Sequence, residues 1–122
     1  MSVPAELLHA VTAADGTVAT DRLAATLHIS KGELALAIGL SRDAVSKRSR
    51  ATSRQTQQRL RDTVEILNRV AGWAGSTGRA FAWFRSQPLA SFGDLTAEDL
   101  VKQGRAQAVK DYLSRIAEGG YA

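Results

Sequence analysis

The chain contains no cysteine, which excludes disulfides, thiolate catalysis and cysteine-ligated zinc or iron–sulfur sites together. Long apolar runs are missing too. No window approaches the roughly 20 continuous apolar residues that span a bilayer, and the N-terminus lacks the basic-then-apolar pattern of a secretory signal. The expected location is the cytoplasm, away from a membrane. Histidine is scarce: His9 and His28 fall on separate predicted helices with no carboxylate or second histidine at ligand spacing. Each reads as a surface or boundary residue and not as a metal ligand or base. No nucleophile-elbow pattern marks a serine. Gly72, Gly75 and Gly78 follow a predicted helix and no strand, unlike a phosphate-cradling loop. In 122 residues a large catalytic architecture does not fit. No enzyme activity, cofactor or metal is expected.

What is present is the balance of a soluble globular protein, 44% apolar and 23% charged, either one domain or two small lobes sharing a core. Charge is unevenly placed. Between Arg42 and Arg61 lie Arg42, Lys47, Arg48, Arg50, Arg54, Arg59 and Arg61 against the single acid Asp43, a net +6 within a chain of +4 overall, so the remainder is −2. A basic block on a near-neutral protein is the electrostatic footprint of a polyanion partner. A merely solvated surface is the plainer alternative.

Punctuation by caps and glycines predicts helices throughout and no strand. Pro4 to Ala13 forms the first, with Leu7, Leu8 and Val11 on one side, closed at Asp15-Gly16. Thr20 caps a second. Ser30-Lys-Gly-Glu33 has the S-x-x-E pattern of a capping box, and Gly39 ends the helix it opens, since glycine accepts the left-handed backbone of a helix C-terminus. Ser41 caps a fourth helix running from Arg42 toward Arg50. Two short helices joined by a three-residue, glycine-containing turn describe a helix-turn-helix. Small Ala35 allows close approach, and Leu34, Ile38, Leu40 and Val45 supply apolar contacts. The basic second helix, its cap and the residues that follow it would then carry DNA contacts on Ser41, Arg42, Ser46, Lys47, Arg48, Arg50 and Arg54. An ordinary helical hairpin with a basic exterior is the competing reading.

Thr52-Ser-Arg-Gln55 opens the longest periodic segment, to about Ala74. Leu60, Val64, Leu67, Ala71 and Ala74 form one stripe, and Ile66, Val70 and Trp73 a second. An arc that wide fits either contact with a second copy, through Leu60, Val64 and Leu67, or burial between two lobes of one chain. Beyond Gly75, Arg79 to Phe84 reads as a short aromatic helix halted by Pro88, with Trp83 packing in the core. Thr96 caps the next helix, and about Arg105 to Glu118 forms the last, with Ala106, Val109, Leu113 and Ile116 inward. Asp94, Glu98 and Asp99 are explained by capping and the helix dipole. The segment from Ser76 onward is too small to stand alone and must pack on the rest or on a partner. The chain thus divides at residues 1–75 and 76–122, all-α, with a long connecting helix.

The C-terminal segment resembles the toxin-binding domain of the Xre/MbcA/ParS family of bacterial antitoxins, through Ala82-Trp83-Phe84, Pro88-Leu89, Gly93, Leu100, Gly104, Val109, Leu113, Ile116 and the ending Glu118-Gly119-Gly120-Tyr121-Ala122. Upstream, Ile38-Gly-Leu-Ser-Arg42, Lys47-Arg48 and the capped helix after Ser53 look like the family's Xre-type helix-turn-helix. The resemblance runs from about Leu34 onward. One departure is Ala97, where the family often begins the helix with proline. The resemblance implies an antitoxin that neutralises a RES-domain toxin, an enzyme type that consumes NAD, and that binds the promoter DNA of its own operon. It also implies that the tail Gly119, Gly120, Tyr121 and Ala122 obstructs the toxin's active-site entrance, with Tyr121 as anchor; Arg85 and the exposed side of the last helix, Arg105, Lys110 and Arg115, are candidate contacts on a partner's rim. A homodimer, or a larger hetero-oligomer with the toxin, is the implied assembly. The alternative is a helix-turn-helix regulator unrelated to any toxin; a small hydrolytic or NAD-handling enzyme has nothing positive in the sequence.

Overall fold

Residues 6–119 are described by the computed structural model. They form α1 (Glu6–Val11), α2 (Thr20–Leu27), α3 (Lys31–Ile38), α4 (Arg42–Ser46), α5 (Arg48–Ala51), α6 (Arg54–Ala74), α7 (Thr77–Ser86), a 3₁₀ turn (Ala90–Phe92), α8 (Ala97–Lys102) and α9 (Ala106–Ala117). Among the described residues, extended backbone pairs only in two isolated bridges, Thr12 with Val18 and Leu89 with Leu95. No helix among them is long and apolar enough to cross a membrane.

Local chemistry sets most helix ends. The Ser30 hydroxyl accepts from the Glu33 N–H while the Glu33 carboxylate accepts from the Ser30 N–H, so two orphan donors are satisfied at once. Thr96 and Asp99 repeat this at α8; the Thr96 backbone N–H, then its hydroxyl, holds the Asp99 carboxyl below its ordinary range. Ser41 and Ser53 cap α4 and α6 by accepting from Ala44 and Thr56. The cap of α6 is therefore Ser53, one residue beyond the expected Thr52. Thr20 lies inside α2, whose N-cap is Ala19, because its hydroxyl is drawn to the Val45 carbonyl at 2.9 Å.

The long α6 is the spine. It buries Leu60, Val64, Leu67, Ile66 and Val70, each no more than 1% exposed, and α1, α5, α7 and α9 pack around it. This corrects the expectation that Leu60, Val64 and Leu67 meet a second copy: the chain covers them itself. Of the two wide-arc readings, burial within one chain holds. Leu8, expected to face inward, is 43% exposed.

One cluster of buried residues draws from both segments, joining Leu34, Ile38 and Val45 to Phe84, Leu89, Leu100 and Val109. Polar seams reinforce it. Lys110 Nζ bonds Asp62 at 2.7 Å and lies 3.5 Å from Glu65. Burial works against the Lys110 charge, but the Asp62 hydrogen bond and both carboxylates more than offset it and raise its pKa. Arg69 donates to the Lys110 carbonyl and the Ser114 hydroxyl. Arg59 donates to the Ile38 carbonyl at 2.6 Å, tying the end of α3 to α6.

At Gly39 the two segments approach closely. Its φ is +72°, and a Cβ there would lie 2.9 Å from Lys102 Cα. Gly39→Ala therefore combines a left-handed alanine with a clash against backbone, and a loss of about 2–4 kcal/mol is expected. Gly93→Ala, at φ +64° with nothing within 4 Å of the added atom, carries the conformational penalty alone, about 1 kcal/mol. Urea denaturation of both variants followed by circular dichroism measures the difference; equal midpoints would show that the Gly39–Lys102 approach is not tight.

Candidate nucleic-acid interface

The sequence expectation of one basic helix from Arg42 toward Arg50 is corrected by a break at Lys47, whose backbone is extended at φ −88° and ψ 122°. The cause is anchoring. Val45 is 1% exposed and Ala51 9%, and positions six apart on an unbroken helix point about 120° away from each other. Interrupting the helix lets both reach the core. The Val45 carbonyl, left without a helical partner, accepts from Thr20 Oγ1 instead.

Gln57 completes the attachment. The residue is 3% exposed, and its Nε2 donates to the carbonyls of Ala51 at 2.8 Å and Val18 at 3.1 Å, while its Oε1 accepts from the Val18 N–H at 2.8 Å. One side chain thus clamps the end of α5 and the strand-like turn before α2 onto the spine. Sequence reading passed over Gln57. A signal existed: it occupies the inward register of α6, three residues before Leu60 and seven before Val64, where a polar residue needs buried partners.

Outward from these anchors, Ser41, Arg42, Ser46, Lys47, Arg48, Arg50 and Arg54 are all exposed. Ser41 Oγ is engaged as the α4 cap but keeps its own O–H to donate. Arg42 lies over α3, close to Gly32. Among the described residues only Lys47 of this group has a carboxylate in reach, Asp43 at 3.8 Å, an exposed pair worth little. Arg48 borders a cleft of ≈ 340 Å³ shared with Asp15, Asp21, Lys31 and Thr52. Asp15 there is held below its ordinary pKa, chiefly by the Thr17 hydroxyl and N–H, with a smaller contribution from Arg48.

The residues assigned to a protein partner are scattered. Arg85 stands 3.3 Å from Glu98 and over the Phe81 ring at 5.3 Å. Its task is internal, because Glu98 is buried and its Oε2 has no hydrogen bond of its own. Lys110 is likewise consumed within the fold by Asp62 and Glu65. Arg115 is exposed beside Tyr112, and Gly119 is exposed with φ +87°. Gly120, Tyr121 and Ala122 lie outside the described residues. Trp83 is half-buried and meets Trp73 edge to face at 5.8 Å; Trp73, expected in an apolar stripe, is 55% exposed. His9 is exposed, and exposed His28 caps α2 in the left-handed region. Among the described residues no three His, Asp or Glu side chains cluster as a metal site.

Gln57→Leu would leave two buried carbonyls and a buried N–H unpaired, with an expected loss of about 2–4 kcal/mol. The lowered urea midpoint should come with accelerated hydrogen exchange at Val18. A variant that matched the wild type in both would show that the basic segment is held without this amide.

Comparison of the chain with models of known families, with curated proteins and with solved structures found no match.

Proposed function

We propose that the chain binds duplex DNA, with α3 and α4 acting as a helix-turn-helix, and that it is an antitoxin which represses its own operon and neutralises a RES-domain toxin by direct contact. The observation that carries the DNA reading is the row of exposed cations from Arg42 to Arg54, nearly all without a carboxylate in reach among the described residues. Such a surface repels itself until a polyanion neutralises it, and each phosphate so bound releases condensed counterions. The buried anchors Val45, Ala51 and Gln57 hold the cations in place beforehand, which lowers the entropy lost on binding.

The toxin reading is supported by the order of residues shared with the Xre/MbcA/ParS family and by the exposure of Trp73 and Arg115. Tyr121, entering a pocket of the toxin, would supply an aromatic anchor.

Titration of the promoter duplex at several salt concentrations tests the first part. Arg42→Ala and Lys47→Ala should each weaken binding and reduce the log–log salt slope by about 1; unchanged binding in both would remove the recognition role from α4. The second part is tested by expressing the adjacent coding sequence with and without this protein. Growth arrest relieved by co-expression is expected, and deletion of Tyr121-Ala122 should impair relief while leaving DNA binding intact. A harmless neighbour that never co-purifies would leave a DNA-binding regulator unrelated to a toxin.

A further inference from the structure

We propose that the turn linking α8 to α9 belongs to the same DNA-facing surface, and that Lys102 and Arg105 take backbone phosphates of the duplex bound by α4. This rests on the DNA-binding reading above and extends it to residues far away in sequence.

Adjacency comes from one guanidinium. Arg59 Nη1 donates to the Ile38 carbonyl and lies 3.2 Å from where a Gly39 Cβ would be, while its Nη2 is 4.0 Å from the corresponding point on Gly104. The turn that leads into α4 and the turn that leads into α9 therefore flank the same side chain. Lys102 is closer still, its Cα against Gly39. Since α4 begins at Arg42, three residues on, Lys102 stands within about 15 Å of its start.

No carboxylate among the described residues neutralises the charges at this junction, although Arg59 is engaged by the Ile38 carbonyl. Among the described residues no carboxylate lies within ion-pair distance of Arg54, Arg59, Lys102 or Arg105. The nearby acids are already used: Asp99 caps α8 through Thr96, and Asp62 accepts from Lys110 and from the Gln58 amide. An open groove of ≈ 490 Å³ separates Arg54, Gln58 and Arg59 of α6 from Gly104. Lys102 and Arg105, both exposed, lie two residues before and one residue after Gly104 in the chain. Arg105 is held over the Phe92 ring at 5.7 Å and donates to the Gln103 amide oxygen, contacts that orient the guanidinium and leave its charge unneutralised.

The resulting pattern suits a duplex. Lys47, Arg48 and Arg50 follow α4 on its C-terminal side, and Lys102, with Arg105 three residues on, lies against Gly39, three residues before its N-terminal end. A helix in a major groove about 12 Å wide has a phosphate strand on each side, so cations bracketing that helix meet both strands. A single-sign patch on one side only would meet one.

The test uses the full chain and the promoter duplex, fluorescently labelled, titrated between about 50 and 200 mM KCl. Lys102→Ala combined with Arg105→Ala should lower the salt slope by about 2, as should Arg48→Ala combined with Arg50→Ala. Lys102→Arg with Arg105→Lys should keep the wild-type slope, which separates charge from packing; thermal melting confirms that each variant is folded. A wild-type slope in the Lys102/Arg105 alanine variant, with a reduced slope in the Arg48/Arg50 variant, overturns this inference and leaves the DNA reading standing. Absence of wild-type binding overturns both.

Discussion

The buried amide of Gln57 is the contact on which the outer face of the molecule depends. The cations of interest ride on helices of five and four residues, far below the length at which an isolated helix is stable in water. Nothing within the segment can hold it rigid, so its geometry is borrowed from α6. Gln57 lends it through three hydrogen bonds reaching residues 6 and 39 positions away, and Val45 and Ala51 add apolar anchorage. Buried hydrogen bonds of this kind are modest in net value and expensive to leave unmade, so the amide acts more through position than through raw stabilisation.

The same economy recurs between the two segments. Neither 1–75 nor 76–122 has a core of its own size; α6 is shared, and α8 packs against both α3 and α7. Polar side chains then lock the register: Arg59 on the end of α3, Lys110 between Asp62 and Glu65, Arg85 against Glu98. These cations are spent on the fold. Among the cations without a carboxylate in reach, those from Arg42 to Arg54 lie on and after α4, and Lys102 lies against Gly39 in the turn that precedes it. Pairing within the fold thus decides which cations stay available to a partner.

Much of this was legible beforehand, for a reason of scale. Ser30, Gly39, Ser41 and Thr96 announce helix ends because a cap is made between residues about three apart, and the backbone in between allows few alternatives. The same holds for the all-helical class and for the charge asymmetry, which is a property of order along the chain. The errors sit where a longer-range contact competes. Thr20 left its cap for Val45, the basic helix broke at Lys47 so that two anchors could face inward, and the Leu60–Val64–Leu67 stripe was covered by the chain's own helices.

The sequence by itself determined where helices start and stop, that they carry apolar stripes, and that positive charge is gathered between Arg42 and Arg61. Only tertiary structure decided which of those charges are free, that a glutamine in an apolar register would be the clamp, and that Lys102 would stand beside Gly39. Periodicity records that a face is to be buried without naming what buries it. The partner is chosen by packing among helices distant in sequence, where shape, volume and the pairing of buried polar groups have to be satisfied together.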